Sequence, residues 1–274
     1  HTASNSDEYL NTGWLGRLLD ANCPGSENAW HALEVDDTLS LAMKGQFKSG
    51  FAVKDPQRLK QITSDPFLAE IEKNGSASEA TGELSFLYKT LAQTTSSAAY
   101  IAEKAGIKNN SSVYPQHELG NSLKQIASLI AAGMESGIYY TSISGFDTHV
   151  RQQESQNRLL GVVSDSIYAF TKDLREANAL NDTLVIVFSE FGRRVKQNAS
   201  NGTDHGTANN LYVIGGGLKK AGMQNNLVSL TDLDNGDLKH TLDFRKVYAT
   251  LLNKGIGFGH EQVLGRNFEL MDFI

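Results

Sequence analysis

Apolar positions along this chain follow two rhythms, and the change from one to the other marks out the elements. Leu184, Val185, Ile186, Val187 and Phe188 form a continuous apolar run, the pattern of a strand covered on both faces. Gly137 to Ser144 reads as a second strand. Between the two, from about Val150 to Asn178, Leu159, Leu160, Val163, Ile167, Phe170 and Leu174 recur at three- and four-residue steps and give a long helix one apolar face. Strand, helix and strand predict a right-handed crossover between parallel neighbours.

The flanking segments are shorter. Residues 1 to 76 read as a short helix at Thr12 to Leu19, strands around His31 to Val35 and Gly50 to Val53, and a small helix begun at Asp65 with Pro66 in its first turn. Residues 79 to 105 and His117 to Met134 are predicted helices, with Leu91, Ala98 and Ile101 on the apolar side of the first and Leu119, Leu123, Ile126 and Leu129 on that of the second. Leu211 to Ile214 reads as a buried-type strand. Asp232 to Asp237 reads as a solvated loop, because Gly236 stands where an EF-hand needs an oxygen ligand. Thr241 to Leu252 is a predicted helix capped by Thr241, and Phe268 to Ile274 an apolar tail, either an edge strand or a docking segment. The expected fold is α/β, a mostly parallel sheet flanked by helices on both faces, in one domain.

Composition narrows the partners. With 274 residues, 40% of them hydrophobic, the chain can bury a sizeable core. A net charge of -6 argues against nucleic acid or an anionic membrane as partner. No apolar run approaches the ~20 residues that span a bilayer. The single cysteine, Cys23, excludes an intrachain disulfide and a cysteine-based metal site.

The chemistry gathers at strand ends. In open α/β sheets ligands bind beyond the carboxyl ends of the strands. After Phe188 come Glu190, Arg193 and Arg194, and then Thr203-Asp204-His205-Gly206; after the other strand comes Phe146-Asp147-Thr148-His149. Either Asp/His pair alone reads most simply as a loop cap or a hydrogen-bonded surface histidine. Delivered to one sheet edge, however, Asp147, His149, Glu190, Asp204 and His205 supply three carboxylates and two imidazoles, a set suited to divalent Zn, Mn, Mg or Ca. Arg193 and Arg194 are candidates to bind an anionic substrate oxygen. His240 and His260 fall outside both clusters.

The segments GFDTH (145–149), VFSEFGRR (187–194), TDHG (203–206), TLDFRKVYATLL (241–252) and NTGWLGRLLD (11–20) together resemble the bacterial sulfatase-like family catalogued as domain of unknown function 1501, a branch of the alkaline phosphatase superfamily. The resemblance spans nearly the whole chain. It implies an alkaline phosphatase/sulfatase-like fold, one or two divalent ions held by Asp and His at strand ends, a small-molecule phosphate or sulfate ester as substrate, and a periplasmic or secreted location. Two departures stand out. Ser189-Glu190-Phe191-Gly192 occupies the place of the superfamily's Asp-His-Gly element, and Phe191 cannot ligate a second metal, which leaves Asp204 or His205 to compensate. Family members also begin with a secretion signal and a first strand ending in a Gly-Gly-Asn-Asp-Gly-like segment near the nucleophile position. This chain opens at a point resembling a member's interior, so the first third, with the nucleophile, is expected to be missing. Two functions are therefore carried forward: a metal-dependent hydrolase of phosphate or sulfate esters, possessing a site but short of a nucleophile, and a non-catalytic secreted binding or structural protein with a degenerate sulfatase-like site.

Overall fold

The computed structural model describes residues 1–5, 8–22, 31–74, 83–107 and 110–274. Cys23 and residues 79–82 of the expected helix lie outside them. Helix α1 (Trp14–Asn22) precedes strands β1 (Ala32–Glu34) and β2 (Phe51–Ala52). Helix α2 (Pro56–Thr63) starts on a proline, and the Asp55 carboxylate accepts the Arg58 N–H at 3.0 Å, satisfying one of the donors a helix start leaves free. Helices α3 (Pro66–Asn74), α4 (Glu83–Ala105) and α5 (Glu118–Ala131) lead to β3 (Ile138–Tyr140) and the long α6 (Gln152–Glu176). Strands β4 (Leu184–Val187), β5 (Gly192–Gln197), β6 (Thr203–Gly206), β7 (Tyr212–Gly215), β8 (Leu233–Asp234) and β9 (Asp237–Leu238) follow, and α7 (Phe244–Thr250) and α8 (Glu261–Leu264) close the order.

The parallel sheet is smaller than the apolar pattern predicts. It has three strands in the order β2-β1-β3, with Leu33 opposite both Phe51 and Tyr139. β4 does not join that ladder beside β3; it pairs antiparallel with β7, from Leu184 opposite Gly215 to Val187 opposite Tyr212. The expected parallel crossover through α6 is thereby corrected. The chain returns from β4 through an antiparallel β5–β6 ribbon, so β7 reaches β4 without the helical crossover a parallel partner needs.

The continuous apolar run nevertheless has its physical explanation. Ala32, Ile138, Tyr140, Leu184 and Ile186 pack into one core with α1, α7, α8 and the π-helical turn Leu251–Ile256. Their alternating neighbours Leu33, Tyr139 and Val185 pack into a second core with α4, α5 and α6. Successive strand residues point to opposite faces, so both the parallel strands and β4 separate the same two helical cores. The molecule is thus a mixed α/β protein with helices against both faces of short strands. Leu33, fully buried in the central strand, is the most direct test: Leu33→Ala is expected to cost about 2–5 kcal/mol in a urea unfolding measurement, through lost burial and the cavity left behind.

Three local expectations are refined. The cap of α7 is Asp243, not Thr241, because its carboxylate reaches the Arg245 N–H at 2.9 Å. Residues 233–238 form a tight antiparallel hairpin, β8–β9, in which Asn235 and Gly236 have φ of 51° and 91°, the left-handed pair that a two-residue turn demands. The tail docks without forming a strand, as Phe268, Leu270 and Phe273 enter the first core.

Candidate metal centre

Two segments build the site, the loop from Gly145 to Arg151 ahead of α6 and the β5–β6 ribbon, and several contacts fasten one to the other. The first backbone donors of α6 have no partner within the helix. The ribbon's tip supplies them: Arg151 N–H and Gln152 N–H donate to the carbonyls of Ser200 and Asn201 at 3.2 and 2.9 Å. Asn198 shapes that tip, its side-chain oxygen accepting the Ser200 and Gly202 N–H groups while its amide donates to the His149 carbonyl at 3.0 Å. Gly202 lies so close that a Cβ there would sit 2.1 Å from the His149 oxygen. Arg193 makes the second tie, donating at 2.6 Å to both the Thr203 carbonyl and the Phe146 carbonyl.

Held this way, three ligand atoms meet. Asp147 Oδ1 lies 2.7 Å from His205 Nε2 and 3.0 Å from His149 Nε2, and the two Nε2 atoms are 3.3 Å apart. Asp147, His149 and His205 therefore form a group that could hold a metal ion. The geometry can be compared with a known ion. Zn–N and Zn–O distances of about 2.0–2.2 Å in a tetrahedral set imply ligand-to-ligand edges of roughly 3.3–3.6 Å. One edge already has that length; the Asp147–His149 edge would open by about 0.3 Å and the Asp147–His205 edge by about 0.6 Å to reach it. The donor set, one carboxylate and two imidazoles, fits Zn or Mn more closely than all-oxygen Ca or Mg.

The electrostatics favour the ligating form of the carboxylate. The hydrogen bond from His205 holds the Asp147 carboxyl below its usual range, with further help from the charges of His149, His205 and Arg193. All three side chains are open to solvent, with exposures of 62% for Asp147, 43% for His149 and 46% for His205.

The other expected residues are placed differently. Asp204 Oδ1 stands 3.6 Å from His149 Nδ1, behind the ring and not beside the trio. Glu190 is not part of the trio; its charge is felt at Tyr140, whose hydroxyl is pushed up to about 12 by burial and then by Glu34 and Glu190. Consecutive ribbon residues leave on opposite faces. Arg193 accordingly meets Asp147 at 3.4 Å, whereas Arg194 meets Asp237 at 3.3 Å.

Three features escaped the sequence reading, two at the site and one in β1. Phe191, read there as a lost ligand, stacks on the His205 ring with centroids 3.9 Å apart and planes 9° from parallel, and the Arg193 guanidinium covers the Phe191 ring at 4.9 Å. Asn198 followed by Asn201 and Gly202 between two strands is a turn signature that could have located the ribbon tip. Glu34, fully buried at the end of β1, accepts from both the N–H and the hydroxyl of Ser40, and burial raises its carboxyl. Its place inside an apolar strand gave no sequence cue.

Helices on both faces of short strands, and a loop and a β-ribbon that together offer a carboxylate and two imidazoles, define a mixed α/β protein with a candidate divalent-metal centre. Residues 1–271 match the family described as protein of unknown function (DUF1501), and the chain belongs to that family. No curated protein and no solved structure matches the chain. Family membership names no activity. No helix among the described residues is long and apolar enough to cross a membrane.

Proposed function

We propose that this protein is a metal-dependent hydrolase of phosphate or sulfate esters, with Asp147, His149 and His205 holding a divalent ion. The observation that carries the reading is the compact trio itself, three donor atoms from two segments within 3.3 Å of one another on an open surface. Three protein ligands facing solvent leave room for substrate, as catalytic sites do and closed structural sites do not. When bound, such an ion supplies Lewis-acid stabilisation to the ester oxygens. Asp204 Oδ1 stands 3.6 Å from His149 Nδ1, on the side of the ring away from the trio. Of the two arginines expected to bind substrate, Arg193 is the one at the site, where its charge lies beside Asp147. A second ion would have to draw on Asp204 or Glu190. The sulfatase-like motifs add an alkaline phosphatase-like ancestry and a periplasmic or secreted location to this reading.

A specific observation favours a second reading, a non-catalytic binding protein: Phe191 occupies the Asp-His-Gly-like position and serves as a platform for His205. One experiment separates the two. Elemental analysis of the purified chain is expected to find about one equivalent of a divalent ion, lost in Asp147→Ala and His205→Ala, together with hydrolysis of an aryl phosphate or aryl sulfate that falls with it. Absence of stoichiometric metal, or metal that both variants retain, would overturn the site. Metal without hydrolysis of either ester, in this chain and in a family chain that carries the Gly-Gly-Asn-Asp-Gly-like first strand, selects the binding protein.

A further inference from the structure

Beside the metal centre, a groove of about 320 Å³ runs between α6 and the β5–β6 ribbon. Gln153, Gln156, Asn157 and Leu160 form one wall, and Gln197 and Asn201 form the other. No lining residue is charged, although 20% of the chain is Asp, Glu, Lys or Arg. The helix wall has a regular origin: Gln153, Gln156, Asn157 and Leu160 stand at i, i+3, i+4 and i+7, one face of a helix. That spacing ordinarily marks an apolar stripe facing a core. Here it carries three amides and faces solvent.

The chemistry of this lining selects a class of ligand. Each side-chain amide offers two N–H donors and a carbonyl acceptor without net charge, so it has little to attract a phosphate, a metal or a charged side chain. A sugar hydroxyl is both donor and acceptor, and neighbouring hydroxyls on a pyranose match an amide's paired groups. Leu160, 54% exposed at the end of the stripe, offers the apolar surface on which a pyranose C–H face can rest. The base of the groove is already ordered, as the Thr203 hydroxyl donates to Gln152 Oε1 at 2.9 Å and the Gln156 amide to the Thr148 hydroxyl at 3.4 Å. Gln153 and Asn157 have no partner among the described residues. An extended peptide also pairs with amides, but its usual recognition is through an open strand edge, whereas both walls here are made of side chains.

We propose that this groove binds a neutral saccharide. Thr203 and Thr148 tie its base to the chain segments that carry His205 and His149, so a sugar seated there lies next to the metal centre. The groove itself needs no ion. The test is a survey of the purified chain against neutral oligosaccharides of glucose, galactose, mannose and N-acetylglucosamine, followed by calorimetric titration of those that bind. The double variant Gln153→Ala/Asn157→Ala, at exposed positions, is expected to weaken binding about tenfold or more through two lost neutral hydrogen bonds, with metal content unchanged. His205→Ala is expected to lose metal and keep saccharide binding, which separates this site from the hydrolase reading. Leu160→Gln, altering the same wall without touching an amide, is expected to weaken binding as well and covers the case in which the double variant melts early. Failure of every oligosaccharide to bind at millimolar concentration, binding that neither variant alters, or tighter capture of an uncharged Gly/Ser-rich peptide in the same groove would each overturn the proposal.

Discussion

Gly202→Ala is expected to destabilise the protein by about 1–3 kcal/mol and to weaken metal binding by one to two orders of magnitude, roughly the cost of losing an outer-shell support. The reason is contact, not conformational freedom. An added Cβ would sit 2.1 Å from the His149 carbonyl oxygen and 2.2 Å from its carbon, both backbone atoms that cannot rotate away. The ribbon tip must then lift from the loop, and three hydrogen bonds go with it: Asn198 to the His149 carbonyl, and the two from the start of α6 to Ser200 and Asn201. His149 and His205 would separate as a result. Chemical denaturation and a metal titration check both effects, with Gly137→Ala as comparison because a Cβ there meets nothing within 4 Å. Unchanged metal affinity in Gly202→Ala would show that the docked tip does not position His149.

Arg193→Ala carries the second large effect. Its guanidinium is only 15% exposed and donates to two carbonyls on separate segments. A hydrogen bond from a charged donor contributes about 1.5–3 kcal/mol. The two share one rigid fork, so the expected loss in urea is roughly 2–4 kcal/mol, less than twice a single bond. Arg193→Lys is expected to recover little of it, since a point charge cannot span both acceptors or lie flat on Phe191. The substitution also has an electrostatic readout. Asp147 titrates below the ordinary carboxyl range, and its stabilising contribution is present above that range and lost as pH falls through the lowered value. NMR titration is expected to place the Asp147 carboxyl higher in Arg193→Ala than in the unaltered protein. His205→Ala should raise it further, because the His205 hydrogen bond is the larger cause. An unshifted Asp147 in both would remove the electrostatic account of the trio.

The sequence reveals these features unevenly, for physical reasons. Helix α6 is legible to within about two residues at each end because Leu159, Phe170 and Leu174 are buried at helical spacing over about four turns. β4 is legible because both its faces are covered. Its partner is not, since hydrophobic period fixes which way side chains point and says nothing of the strand across the ladder; β7, reached only after the ribbon, decides it. The same limit explains the site. Asp147, His149 and His205 are found by residue type at strand ends, but the turn Ser189-Glu190-Phe191 gives Phe191 to His205 and leaves Glu190 near Tyr140. No periodicity spans a turn. Residue type placed Arg193 near the site but gave no sign that its guanidinium also ties two backbone carbonyls together.

Asp147 and His205 are separated by 58 residues of chain, and His149 and His205 by 56, so the trio closes a loop containing all of α6 and β4. An ion held by all three would therefore be a reversible cross-link. Like a disulfide of similar loop length, it would restrict the unfolded chain, and because it would also draw on the free concentration of the ion, resistance to unfolding would become a function of metal supply. In a sequence with one cysteine, this would be a form of stapling that needs no oxidising surroundings.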